Sequence, residues 1–330
     1  MGKRIGLVFL SDHYGPVEFF KLAVKAEKAG VGTVWLAEHY CSTEAFSVLG
    51  AVAARTRRIR IGSSIVSSLI RHPVTVATAA SSLAELSGGR FVLGVGAGAR
   101  RWVEDYLGLP YSPVLSRMTE AVKLIRNLLT DNGGDFQGRW FRAMRARITP
   151  KPPSHRVPVY LGAVGEKMRK LAFQLADGLI LSAGSSLGYV RQTHEELLSL
   201  RLSKPYEVVA LTFTSINRDS QAAKEALKPE LASILSRPGR AETMLAEYRL
   251  EAEWFERLRT ATERGDKAIL SKLISDDMVD QLAAAGTMDE CMEYLSKLAK
   301  LRKVSTALVP IGTEIKTLFK LMERFGENYP

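Results

Sequence analysis

Two neighbouring residues stand where proton chemistry would need them. Glu38 and His39 directly follow the apolar run Trp35-Leu36-Ala37, which ends as a strand would end. An imidazole there can donate to a carbonyl or ring nitrogen, or carry a proton, since histidine titrates at about 6.5 when unperturbed. Successive residues at a strand end point to opposite sides, so one of the pair faces any cavity and the other turns away. The alternative for His39 is a loop histidine tied to backbone. Ser11, Asp12 and His13 follow an earlier apolar run, and Ser63, Ser64 and Ile65 close a later one.

Glycines collect in comparable places. Gly94-Val95-Gly96-Ala97-Gly98-Ala99 matches the spacing G-x-G-x-x-A of dinucleotide sites. That motif also needs an acidic residue about 20 positions later, at the end of the next strand, and none stands there. The reading adopted is that Gly96, Ala97 and Gly98 let a planar ligand lie close to the backbone, with plain packing as the alternative. Gly162-Ala163-Val164-Gly165 precedes Glu166-Lys167-Met168-Arg169-Lys170, which reads as a helix start. Free N–H groups at a helix N-terminus attract phosphate, and the bases add charge. A further polar cluster, Ser182-Ala183-Gly184-Ser185, follows another apolar run.

These residues must be positioned by a regular alternation of short apolar and longer amphipathic runs. The pattern predicts strands at 4–10, 33–37, 59–66, 91–95, 157–161, 179–181, 206–213 and 303–310. Helices are expected at 16–29, 44–55, 73–86, 112–129, 166–175, 187–200 and 314–325. Continuous apolar strands in strict alternation with helices imply a parallel sheet covered on both sides, and eight such units close a barrel in preference to an open doubly wound sheet. The fold class is therefore an α/β, (β/α)8 TIM barrel, with its site at the C-terminal ends of the strands. Two insertions are expected: a hairpin over 131–153, and several helices over 219–302 between strands seven and eight. Residues 1–330 read as one domain.

Composition narrows the class further. The chain is 46% hydrophobic and 25% charged, with two cysteines, which excludes disordered and disulfide-scaffold proteins. Cys41 and Cys291 form no CxxC, and His13, His39, His72, His155 and His194 show no ligand spacing, so no metal is expected. No stretch approaches the roughly 20 apolar residues of a membrane span, and two cysteines without a disulfide framework read as a protein of the reducing cytosol. The formal charge of +11 points to an anionic ligand or partner. Arg139, Arg142, Arg145, Arg147, Lys151 and Arg156 fall in a stretch without acids. With Trp140 and Phe141 they allow a nucleic-acid surface; a solvated hairpin is preferred. Four Asn and five Gln suit a thermophile source.

At these residues the sequence resembles the bacterial luciferase-like superfamily, nearly end to end. The resemblance rests on Trp35 to His39, Ile61-Gly62-Ser63-Ser64-Ile65, His72-Pro73-Val74, Gly88-Gly89-Arg90 through Gly98, and Ala285-Gly286-Thr287 with its following helix. The run Val159 to Gly165, continued to Ala176-Asp177-Gly178, is most similar to the coenzyme F420-dependent branch, especially the methylenetetrahydromethanopterin reductases. The resemblance implies hydride transfer between F420 and a small substrate, possibly a methylene-tetrahydropterin, within a homodimer. It implies that Ser64-Ile65 occupies a non-prolyl cis peptide behind the cofactor ring, and that Ala163, Val164 and Gly165 hold its phosphate. Gly96, Ala97, Gly98 and Ser182 complete the implied cofactor site, with His39 and Glu38 as the catalytic candidates. Many F420 enzymes carry a carboxylate where this chain has Ala99, and the methanopterin reductases tend to have an acid in the first strand where it has Val8. Glu-His after the second strand is common among FMN monooxygenases, which makes an FMN-dependent luciferase-like monooxygenase the second reading. A non-catalytic nucleic-acid-binding barrel is the third.

Overall fold

The β-branched and apolar runs form strands close to their expected bounds. These are β1 (Ile5–Leu10), β2 (Thr33–Ala37), β3 (Arg60–Ser63), β4 (Phe91–Gly96), β5 (Val159–Gly162), β6 (Gly178–Leu181), β7 (Glu207–Ile216) and β8 (Val304–Pro310). The computed structural model describes residues 5–130, 133–149, 154–246, 248 and 250–329; Arg4, Asp131, Lys151 and Pro153, named above, lie outside them. Each strand pairs with the next in chain order, β6 pairs with β7 and β8 with β1. The chain is a (β/α)8 barrel. Registers are parallel, as in Thr33 to Leu36 against Arg60 to Ser63, and Leu93 to Val95 against Val159 to Leu161.

Contacts group the residues into two compact units, Val8–Ile180 and Met1–Leu7 with Leu181–Pro330. In the first, helices α1 (Pro16–Lys28), α2 (Ala45–Arg55), α3 (Pro73–Ser87), α4 (Val114–Leu129) and α5 (Glu166–Leu175) follow the strands. Their starts have local causes. Pro16 and Pro73 open α1 and α3, where a missing N–H costs nothing. The Glu44 carboxylate accepts from the Phe46 and Ser47 amides at the head of α2. Gly88 ends α3 in the left-handed region, at φ +61°. Next to it Arg90 donates to the carbonyls of Ala53, Thr56, Ile59 and Ser87, satisfying the C-terminal ends of α2 and α3. The Gly88-Gly89-Arg90 motif is thus a fastening at the N-terminal end of β4, away from the strand ends that carry chemistry.

The third run does not remain one strand. β3 stops at Ser63, the Ser64–Ile65 peptide is cis, and Val66–Ser67 resumes as a two-residue strand beside Val95 and Gly96. The expected hairpin is present, with Gly134–Gln137 antiparallel to Arg142–Ala146. Its tip is latched to α4. Glu120 accepts from the amides of Arg139, Trp140 and Phe141 at 3.0, 2.8 and 3.1 Å, and Trp140 Nε1 donates to Ser116.

The second unit carries α6 (Leu187–Ser199) and the helical insertion. The insertion comprises α7 (Ser220–Leu235), α8 (Arg240–Met244), α9 (Ala252–Arg264), α10 (Lys267–Leu273), α11 (Asp276–Leu282) and α12 (Met288–Ala299), and α13 (Ile315–Asn328) follows β8. Lys228 is buried on α7 and bridges Glu225 and Asp276, while Lys224 reaches Asp280, so α7 and α11 are held by paired charges. One element was not expected: Ala283–Gly286 adds a short strand beside Phe213 to Ile216 of β7.

The Glu120 latch is pH-sensitive with a definite sign. Burial works against ionisation there, but the three amides and the Arg139 charge outweigh it and hold the carboxyl below the ordinary glutamate value. The latch contributes fully above the unfolded value of about 4.3 and is lost as pH falls through the lower folded value. Trp140 fluorescence followed on acidification should report release of the hairpin tip in that window. Glu120→Ala should show the released signal already at neutral pH.

Candidate active site

The strand ends of the first unit bring together Ser11 and Asp12 after β1, Glu38 and His39 after β2, the Ser64–Ile65 junction after β3, and the glycines of β4 and β5. The His39 ring is mostly buried, with Nδ1 at 3.2 Å from Asp12 Oδ1 and 3.4 Å from Ser11 Oγ. Its backbone N–H donates to Ser11 Oγ at 2.8 Å, and Ser42 Oγ donates to the same oxygen at 2.7 Å. The Trp102 indole meets the ring edge-on at 5.3 Å between centroids.

Glu38 has a different environment. Arg71 grips its carboxylate bidentately, Nη1 to Oε2 at 2.5 Å and Nη2 to Oε1 at 2.6 Å, and the Ala45 amide adds a third donor. Arg71 also reaches Glu44, which caps α2. Burial alone would lower the guanidinium pKa, yet the two carboxylates raise it above the ordinary arginine value. The pair Glu38–Arg71 thus fastens the segment after β2 to the loop before α3. Sequence reasoning placed Glu38 among the proton carriers, whereas in the structure its oxygens are occupied by a permanent cation.

The glycines act chiefly through Ile65. A Cβ on Gly96 would come within 2.9 Å of the Ile65 side chain, and one on Gly162 within 3.0 Å. A Cβ on Gly94 would meet the Ser63 carbonyl at 2.0 Å. The missing side chains therefore make room for the β3 junction and for the Ile65 side chain. Gly98 adopts φ +77° beside Ser67, whose hydroxyl donates to the Ala97 carbonyl. The hydroxyls of Ser64 and Ser68 are buried with no hydrogen-bond partner. Such groups are uncommon in folded chains, and here two lie on either side of the Ile65 junction. Gly165 precedes the first turn of α5, and a side chain there would meet nothing within 4 Å. Arg169, one turn in, donates to the Val164 carbonyl at 3.0 Å. Ala163 N–H donates to the Ile180 carbonyl. Ser182 falls in the second unit, just after β6, where its carbonyl accepts from Ser185.

Two parts of the site escaped sequence reasoning. One is Arg71. The other is the π-helix Trp102–Tyr106, which supplies Trp102 to His39 and Tyr106 to Tyr40, with ring centroids 4.9 Å apart. Such bulges are frequent at functional sites. No cluster of three or more metal-ligating side chains occurs among the described residues. No helix among them is long and apolar enough to cross a membrane.

The family model described as luciferase-like monooxygenase matches residues 7–302. The chain belongs to that family. Among its relatives, the 5,10-methylenetetrahydromethanopterin reductase of Archaeoglobus fulgidus is 30% identical over 332 residues, covering 97% of each chain. An F420-dependent glucose-6-phosphate dehydrogenase of Amycolatopsis mediterranei is 31% identical over 202 residues, 56% of this chain and 59% of that one. The coenzyme F420-dependent tetrahydromethanopterin reductase structure from Methanopyrus kandleri matches with a TM-score of 0.83 over 100% of both chains, at 24% identity, a likeness of fold.

Within this luciferase-like barrel the Glu38–Arg71 fork is a structural commitment that can be measured. Arg71→Ala strips a carboxylate whose side chain is only 12% exposed of both charged donors. Unfolding in urea should show a loss of about 2–3 kcal/mol. A loss below about 0.5 kcal/mol, typical of surface changes, would mean the fork holds nothing.

Proposed function

We propose that the protein is an F420-dependent oxidoreductase that moves hydride between the deazaflavin and a small substrate of the methylene-tetrahydropterin class. The observation that carries this reading is the likeness to the Archaeoglobus reductase, which runs through 97% of both chains. The residues present fit such a cofactor. Ile65, seated on Gly96 and Gly162, offers an apolar support for a flat ring. The buried hydroxyls of Ser64 and Ser68 are donors awaiting an acceptor. Ala163, Val164 and the open Gly165 lead into the amides of α5, a natural cradle for phosphate. Gly96, Ala97, Gly98 and Ser182 complete the assigned cofactor set.

When bound, F420 supplies or receives the hydride; the protein positions the partners and manages the proton and water. His39 is the residue assigned to the proton. Its imidazole follows β2, the strand paired with β3, and packs against Trp102. Glu38, held by Arg71, keeps the His39 segment in place. The same reading describes one barrel domain, assembled as a cytoplasmic homodimer in a thermophile, with the basic hairpin as a solvated surface and no nucleic-acid role. Sedimentation should give a dimer at micromolar concentration, and a monomer would overturn the assembly assignment.

Fluorescence titration of the purified protein with F420 and separately with FMN tests the cofactor. Saturable F420 binding without FMN binding is expected; the reverse makes the protein an FMN-dependent monooxygenase. His39→Ala should lower turnover by about 10²–10⁴-fold at saturating cofactor, with F420 affinity little changed. An unchanged rate would remove His39 from the proton route.

A further inference from the structure

The segment behind the β4 glycines ends in an exposed apolar strip close to the residue assigned to the proton. Trp102 meets His39 edge-on. Four residues later Tyr106 packs on Tyr40, which directly follows His39, with ring centroids 4.9 Å apart. Tyr106 is 45% exposed, and Leu107 and Leu109 are 39% and 37% exposed. Gly108 lies between the leucines at φ +63°, and a side chain there would meet nothing within 4 Å. Large apolar side chains gathered in this way beside a site, rather than scattered singly, mark a surface that binds.

The charge beside the strip is set by the π-turn. Along an α-helix Arg101 would stand over Asp105, four residues on, where an ion pair would neutralise it. Arg100 does pair in that way, with Glu104 at 3.1 Å. In the π-turn Trp102–Tyr106 groups five apart come into line. The Arg101 guanidinium accordingly lies over the Tyr106 ring, 5.2 Å from its centroid, and Asp105 is left exposed. Among the described residues Arg101 makes no ion pair. The other arginines of the neighbouring segments are spent. Arg71 holds Glu38 and Glu44, and Arg100 also holds Ser112 and lies over the Tyr111 ring. A guanidinium stacked on a ring keeps its in-plane donors for a carboxylate or phosphate.

We propose that Tyr106, Leu107 and Leu109, with Arg101 beside them, hold the arm of the substrate remote from the reacting carbon, and that this arm is an aromatic group ending in an anion. The ring covers the apolar strip, and the anion meets the one guanidinium there that has no carboxylate of its own. The formal charge of +11 favours the same sign of ligand. Contacts so far from the reacting carbon act on affinity and leave the chemical step alone. That the arm belongs to a substrate of hydride transfer rests on the functional reading above; what the strip recognises does not.

Ligand-observed NMR titration of the cofactor-free, full-length protein tests the strip with three probes. These are 4-aminobenzoylglutamate (ring and anion), 4-aminobenzamide (ring alone) and glutarate (anion alone). The first should bind best, and more weakly as salt is raised. Arg101→Gln and Tyr106→Ala should each weaken it by about 10-fold, as loss of one charged or stacked contact gives. Tyr106→Phe should bind as the wild type does. In F420-dependent turnover of methylene-tetrahydrofolate, which carries such an arm, Arg101→Gln should raise KM about 10-fold with kcat unchanged. The methylene adduct of 6-methyltetrahydropterin, which lacks the arm, should show no such rise. Equal affinity for the three probes, or an affinity that Arg101→Gln and Tyr106→Ala leave unchanged, overturns the proposal. A lower kcat in Arg101→Gln, or an equal rise in KM for both pterins, overturns it as well. Conversion of a dimer to a monomer by Tyr106→Ala on sedimentation gives the strip to a second copy of the chain instead. A protein that binds no F420, or turns over neither pterin, overturns the functional reading, and the titration still decides what the strip holds.

Discussion

Ile65 needs a volume that only glycine can leave, and the geometry of the site follows from that. The chain departs from the β3 line at Ser63 and turns through Ser64 and Ile65 before pairing again beside β4. Gly94 must lack a side chain so that the Ser63 carbonyl can lie against it. Gly96 and Gly162 must lack one so that Ile65 can sit between two strand ends. A residue placed so is supported by backbone on two sides and has few ways to move. The apolar surface it presents is consequently fixed by packing, the preorganisation that the proposed ring-backing role requires.

Around this fixed point the charges are sorted by commitment. Glu38, Glu44 and Arg71 neutralise one another and anchor the head of α2 to the loop before α3. Asp12 and His39 form the other group, half-exposed on the aspartate side and shielded by Trp102 on the other. A bidentate guanidinium suits the first task because it keeps its charge at every relevant pH. An imidazole suits the proton role proposed for the second because it can lose or gain one. The adjacency of Glu38 and His39 in sequence conceals this division, since neighbours at a strand end diverge.

Much of the fold was legible because each barrel strand is an unbroken apolar run and each helix has an amphipathic period. What was missed had no such signal. Ala283-Ala284-Ala285-Gly286 has low strand propensity, and becomes a strand through its register with Phe213 to Ile216. The run 59–66 reads as continuous because Ser64 and Ile65 suit a strand, whereas the break depends on glycines about 30 residues away in β4. Trp102 to Tyr106 offers no period at all, and its π-turn is visible only in hydrogen bonding. Arg71 lies 33 residues from its partner Glu38, in a segment whose local pattern says only that it precedes a helix. Local physics wrote the elements into the chain; the pairings between distant side chains had to be seen.

The glycine fingerprint shows why motif and mechanism separate. Gly94 to Ala99 matches a dinucleotide pattern in spacing, and in a doubly wound sheet those glycines would let backbone approach a pyrophosphate. In this barrel the same spacing serves the neighbouring strand instead, because Gly94 and Gly96 make room for the Ser63 carbonyl and the Ile65 side chain. The turn from β5 into α5 differs: a side chain on Gly165 would meet nothing within 4 Å there, and no side chain caps the helix start. The Ile65 seat and the open start of α5 lie at the ends of β3 and β5, two strand ends apart along the barrel. Neighbouring strands lie about 4.8 Å apart, so a ligand that used both places, as the proposed cofactor would, has to be elongated.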